Sequence, residues 1–182
     1  MPCEFPDYPV ERYVNTNVRL AGRQWVEAKE RAKEMIEKGL STVVTIVGDP
    51  GMGKTAILNA VYSDLKENAY LVFVDLSGKE ELAEPAWAWI EGTWLGDRVK
   101  NDAFRLLYEN RKAIGYTTLT WMRREFSNWL RKKCEEGIEG ELSYAFRLYC
   151  LGYTRNLDGL VQFLNDLKAL GKVGILIDEL HL

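Results

Sequence analysis

The chain has little of what would mark it as exported, membrane-embedded or stapled. No run of about 18 apolar residues occurs, and the N-terminus lacks a basic-then-apolar leader. Neither a membrane span nor secretion is therefore expected. The three cysteines, Cys3, Cys134 and Cys150, are odd in number, widely spaced and free of any C-x-x-C pattern. They argue against a disulfide framework and for a cytoplasmic location. A single histidine, His181, with no paired cysteines, argues against a structural zinc site. Proline is scarce too. Three of the five (Pro2, Pro6, Pro9) fall in residues 1–18, which show no helical period and read as an extended arm. A formal net charge of −3 gives no general case for a nucleic-acid coat.

What is present fits a globular α/β protein. At 182 residues, 47% apolar and 28% charged, the chain has the length of about one domain. Trp25, Ala28, Ala32 and Met35/Ile36 recur at helical spacing from Ala21 to the stop at Gly39. Thr42-Val43-Val44-Thr45-Ile46-Val47 is β-branched throughout and predicts a strand buried on both faces. A helix follows, with Ile57, Leu58, Val61 and Leu65 inward, and then a second buried strand over residues 69–75. From about Leu82 to Leu170 the pattern is helical. Pro85 opens a helix carrying Trp87, Trp89, Ile90 and Trp94, and others cover about 102–113, 118–136, 141–150 and 157–170. A third strand, 173–178, leads into Asp178-Glu179. Strands alternating with helices imply a parallel sheet.

Two motifs carry chemistry. Gly48-Asp49-Pro50-Gly51-Met52-Gly53-Lys54-Thr55 matches G-x-x-x-x-G-K-[ST] at every fixed position and lies between an expected strand and an amphipathic helix. Its glycines let successive N–H groups converge on phosphate oxygens, and the N-terminus of the helix that carries Ala56 adds partial positive charge. Lys54 is placed to reach the β- and γ-phosphates, and Thr55 to offer its hydroxyl to Mg²⁺. The second motif is the acidic strand end. Asp178 follows four apolar residues at the carboxyl end of a strand, where ligands of parallel sheets bind, and so becomes the Mg²⁺ carboxylate. Glu179 beside it is the candidate general base for an attacking water. Asp75 also ends a strand and ranks second for the Mg²⁺ role, because no glutamate follows it.

A GDPGMGKT loop together with an ILIDEL ending resembles the additional-strand P-loop ATPases. Within these, the chain resembles the AAA+ and STAND groups, near the archaeal initiator and archaeal ATPase families. Leu20-Ala21-Gly22-Arg23-Gln24 resembles the Gly-Arg-Glu box of those families, with Gln24 in place of the usual glutamate. The resemblance implies that Gly22 and Arg23 help hold the adenine. It also implies an incomplete P-loop NTPase parallel sheet, interrupted between Walker A and Walker B by a helical insert. The resulting division is an arm and ATPase core over 1–81, the insert over 82–155, and a return to the core over 156–182. The family's next core strand, with its polar sensor, and its later arginine finger have no counterpart after Glu179. The expectation is a part of a longer ATPase that binds nucleotide with little turnover by itself.

Charge is uneven along the chain. Residues 98–133 hold ten Lys/Arg against three acids, +7 in that window, which leaves −10 for the remainder. Arg123, Arg124, Arg131 and Lys132 fall off the apolar stripe of the 118–136 helix, with Trp121 on their side. Such a face suits nucleic acid or a protein partner. The expected activity is Mg²⁺-dependent ATP hydrolysis driving conformational change, with ATP and ADP as ligands, self-association between ATPase subunits, and a DNA or protein target. The rival is a STAND-type switch with slow hydrolysis and protein partners. A small-molecule kinase is disfavoured, because 47 residues precede the phosphate loop.

Overall fold

The computed structural model describes residues 22–39, 42–117 and 123–179. The arm over 1–18, the beginning of the 118–136 helix with Leu119, Trp121 and Met122, and His181 lie outside the described residues. The elements run α1 (Arg23–Glu37), α2 (Lys54–Leu65), β1 (Tyr70–Asp75), α3 (Ala83–Gly92), α4 (Trp94–Glu109), α5 (Arg123–Glu136), α6 (Ser143–Cys150), α7 (Leu157–Lys168) and β2 (Val173–Asp178). The architecture is mixed α/β, mostly helical, with a two-stranded parallel sheet of β1 and β2. The chain divides into two compact units, residues 1–79 with 174–182, and residues 80–173.

The first unit holds the sheet, α1 and α2. β1 is buried over its first five residues, and α2 turns Ile57, Ala60, Val61 and Leu65 inward. β2 is only half-buried, apart from Leu176 and Asp178. Where α1 meets β2, a side chain at Gly174 would lie 3.0 Å from Leu71 Cδ2 and 3.1 Å from Ile36 Cδ1, so close approach requires glycine there. Lys29 and Lys33 of α1 both reach Asp64 of α2, at 3.1 and 2.8 Å. Partial burial alone would push the Asp64 carboxyl up. The hydrogen bonds from Lys33 and Lys29 outweigh it and hold the group below the ordinary carboxylate value.

One expected element of this unit is absent. Residues 42–49 form no strand, and Val43 and Val47 are 89% and 88% exposed. The β-branched run has the composition of a buried strand, but composition supplies no partner. A strand buried on both faces needs a ladder to join and layers above and below it. The sheet of the described residues offers it neither.

The second unit is a helical bundle with its own core. Leu107, Phe126, Leu130, Tyr116, Ala145 and Phe146 form a buried cluster that joins α4, α5 and α6. Trp87, Tyr153 and Phe163 pack ring against ring at 5.4 to 6.1 Å near α3 and α7. The helix expected from Pro85 to Trp94 is broken at Thr93, and Trp94 opens α4 instead of closing α3. Thr93 is extended (φ −120°, ψ 172°). Its Oγ1 donates to the Trp89 carbonyl at 2.8 Å and accepts from Leu95 N–H at 3.4 Å, so it ends one helix and caps the next. Gly96 then passes so close to Ile90 that a Cβ would sit 2.6 Å from its carbonyl oxygen. The helix expected over 102–113 accordingly runs from Trp94 to Glu109. This unit also takes in α7, which the sequence division assigns to the returning core.

A second expectation is overturned in this unit. Cys134 and Cys150 form a disulfide with Cα atoms 5.7 Å apart, although sequence spacing argued against any bridge. Each cysteine lies at or near the C-terminal end of its helix, α5 or α6. Packing through Phe126, Leu130 and Phe146 brings those ends together. Spacing along the chain cannot report a juxtaposition produced by helix packing.

Candidate functional site

The phosphate-loop residues fold as a left-handed turn onto the N-terminus of α2. Gly51 (φ 81°) and Gly53 (φ 83°, ψ 23°) occupy backbone that side-chain-bearing residues avoid; Gly53 is a fixed glycine of the motif, and Gly51 stands at one of its free positions. Met52 N–H donates to the Asp49 carbonyl at 3.2 Å and closes the turn. Lys54 Nζ curls back onto the loop and donates to the carbonyls of Gly48 (2.8 Å) and Asp49 (3.0 Å). The ammonium is thereby held over the mouth of the turn. The first α2 bond to close is Ile57 N–H to the Gly53 carbonyl, at 3.1 Å. Among the described residues, the N–H groups of Gly53, Lys54, Thr55 and Ala56 have no acceptor. Those four are the orphan donors of a helix start, and no side chain caps them.

These features fit a polyphosphate. Free N–H donors at the positive end of α2 and an ammonium held on the loop carbonyls belong to one short segment, residues 48–56. Gly48, Asp49, Pro50, Gly51 and Met52 are exposed, and Gly53 to Ala56 are half-buried, so an anion has access. For the metal, the chain offers the Thr55 hydroxyl and the Asp178 carboxylate, both in the first unit. Among the described residues no cluster of three or more His, Cys, Asp or Glu could hold an ion. Mg²⁺ does not need one: it keeps several waters and takes one or two protein ligands together with phosphate oxygens.

At the strand end, Asp178 is 9% exposed and its carbonyl accepts from Leu76 N–H at 3.1 Å, tying the tip of β2 to β1. Its Oδ1 accepts from Glu179 N–H at 3.1 Å. Glu179 is exposed and left-handed (φ 56°), a strained position for a residue with a side chain. Asp75 Oδ1 accepts from Ser77 N–H at 2.8 Å, which ends β1 in a turn. Gly22 (φ 105°) precedes α1, and Arg23, exposed, pairs with Glu27 at 2.7 Å. Arg23 therefore makes an intrahelical ion pair in this structure.

Sequence reasoning missed Trp25 as a residue of this site. It counts there as one apolar residue of the α1 stripe, yet its indole N–H donates to the Met52 carbonyl at 2.7 Å. The only hint in the chain is its place two residues after Gly22-Arg23. On the helical unit, Arg123, Arg124, Arg131 and Lys132 are all exposed on α5, while Lys133 pairs with Glu136. Arg111 and Arg123 flank one ring, with their guanidinium carbons 4.9 and 5.7 Å from the centre of Tyr108. Trp121, expected on the same side, lies outside the described residues.

No protein-family profile gives a significant match to the chain, and neither does any curated protein or solved structure. Among the described residues no helix is long and apolar enough to cross a membrane.

Proposed function

We propose that the chain binds MgATP through residues 48–56 and is an ATPase module of the P-loop type, with the AAA+ and STAND groups as the nearest class. The observation that carries the proposal is the phosphate loop itself. Lys54 is held on the carbonyls of a glycine turn with left-handed backbone, and that turn leads into four unpaired N–H groups at the start of α2. Neutral ligands gain little from such a site, and polyanions gain much.

In this reading the N–H groups of 53–56 orient the β-phosphate, and Lys54 exchanges its two loop carbonyls for phosphate oxygens. Thr55 and Asp178 would hold Mg²⁺, which would supply charge neutralisation along the phosphate chain. Glu179 would accept the proton of the water that attacks the γ-phosphorus, as the bond from that phosphorus to the β-phosphate oxygen breaks and ADP leaves. Catalysis of this kind is mostly positioning and charge compensation, and an arginine from outside these residues, in a neighbouring subunit or elsewhere in the protein, would complete it. Gly22 and Arg23 lie at the start of α1 for the base, once Arg23 releases Glu27.

The rival form of this reading is a STAND-type switch governed by nucleotide state, with slow hydrolysis and protein partners. The outward face of α5, with Arg124, Arg131 and Lys132, is the partner surface in either form. Duplex DNA that accelerates ATP turnover selects the DNA-directed ATPase, and indifference to DNA selects the switch. The binding claim is tested by calorimetric titration of MgATP. Lys54→Ala is expected to abolish the heat of binding, and an affinity equal to that of the unaltered chain would sink the assignment.

A further inference from the structure

We infer that Trp25 is a positioning residue of the phosphate loop, locking the Met52–Gly53 peptide so that the Gly53 N–H is presented to a phosphate oxygen. The inference rests on the nucleotide reading above and adds to it a residue outside the loop. Its starting point is the 2.7 Å bond from the indole N–H to the Met52 carbonyl. In a planar trans peptide, the carbonyl of one residue and the N–H of the next point in opposite directions. With the Met52 oxygen turned toward α1, the Gly53 N–H is turned away from it. Among the described residues that N–H has no acceptor.

The peptide needs such a lock because glycine frees it. Gly53 sits at φ 83°, and without a Cβ it moves between left- and right-handed backbone at little cost. A flip of the 52–53 peptide would turn the carbonyl oxygen to where the N–H had been and would meet a phosphate with negative charge. The indole opposes that flip by holding the oxygen in place. It also fills the space a side chain would claim: a Cβ at Gly53 would lie 3.1 Å from Trp25 Nε1. Glycine at position 53 thus serves the backbone turn and the seating of Trp25 together. Because Trp25 belongs to α1, a shift of that helix would be felt by the loop through one hydrogen bond.

The test uses the full chain labelled with ¹⁵N, with Mg²⁺-pyrophosphate and MgADP as probes. Trp25→Phe keeps a ring and deletes the donor. We expect both probes to bind this variant about three- to tenfold more weakly, the worth of one ordinary hydrogen bond. The Gly53 amide resonance should move or broaden before any probe is added. If the variant fails to fold, the unaltered chain still reports: its Trp25 indole N–H should exchange with solvent more slowly when pyrophosphate is bound. Equal affinities with an unmoved Gly53 amide, or an indole exchange rate that pyrophosphate leaves unchanged, would overturn the inference while leaving the nucleotide reading intact. An unaltered chain that binds neither probe would overturn the nucleotide reading and the role of Trp25 with it.

Discussion

At the residue scale, the same few side-chain types behave differently according to what surrounds them. Asp166 is buried at 8% exposure, yet it stays paired: Arg147 donates to both its oxygens at 2.9 and 2.8 Å, and the Tyr153 hydroxyl donates to Oδ2 at 2.7 Å. Burial first, and the hydrogen bond to Asp166 second, push the Tyr153 phenol well above its ordinary value of 10.0. The folded state therefore holds that proton more tightly than the unfolded one. The stabilisation is complete below pH about 10 and declines as pH rises toward the folded-state value. In an alkaline titration followed by phenolate absorbance, one tyrosine should ionise only as the protein unfolds, and Tyr153→Phe should remove that component. The same substitution should cost about 1.5–3 kcal/mol, because the lost bond is to a charged acceptor. A tyrosine complement that titrates uniformly near the ordinary value would contradict this. Glu179 is the opposite case, an exposed acid in strained backbone. On the ATPase proposal, Glu179→Gln should leave MgATP affinity unchanged and remove hydrolysis, as read by phosphate release; turnover at the unaltered rate would exclude it as the base.

At the element scale, most helices were legible because their apolar residues recur at 3.6. Their ends were legible only where a cap was. Asn156 accepts from Gly159 N–H at 2.9 Å and begins α7 within a residue of expectation. Thr93 was not legible as a boundary. A threonine between two apolar stretches reads as an interior residue until the chain is seen to turn there. The Cys134–Cys150 bridge belongs to this scale as well, because it fastens the end of α5 to the end of α6 across 16 positions. A closed loop of about 15 residues contributes on the order of 3 kcal/mol by restricting the unfolded chain. Reduction with a thiol should lower the thermal midpoint, and Cys134→Ser should lower it to the same degree and be insensitive to thiol. Equal midpoints with and without reductant would mean that the bridge carries no stability.

At the scale of the whole molecule, the two units have separate cores. The helical one, residues 80–173, encloses the Phe126 and Phe163 clusters and the Asp166 network within itself. Expressed alone, it should remain helical by circular dichroism and unfold cooperatively. A non-cooperative melt would show that its core depends on residues outside it. The first unit is built differently. Among the described residues its sheet has two strands, and the Thr and Val residues of 42–47 stand exposed, with Ile46 half-buried. The 48–55 turn nevertheless forms, because its shape is set locally by Gly51, Gly53, the Met52–Asp49 bond and the start of α2.

The sequence by itself therefore determined what is local: the glycine turn with Lys54, the helical stripes, the strands at 70–75 and 173–178, and the acidic tip at Asp178-Glu179. Each depends on residue types within a few positions of one another, where propensity, φ > 0 tolerance and periodicity act. The tertiary structure alone decided what depends on meeting across the chain. It left residues 42–47 without a ladder, joined Cys134 to Cys150, gathered Arg147 and Tyr153 around Asp166, and set the indole of Trp25 against the Met52 carbonyl. These pairings are fixed by how helices and strands pack, and spacing along the chain carries no record of that.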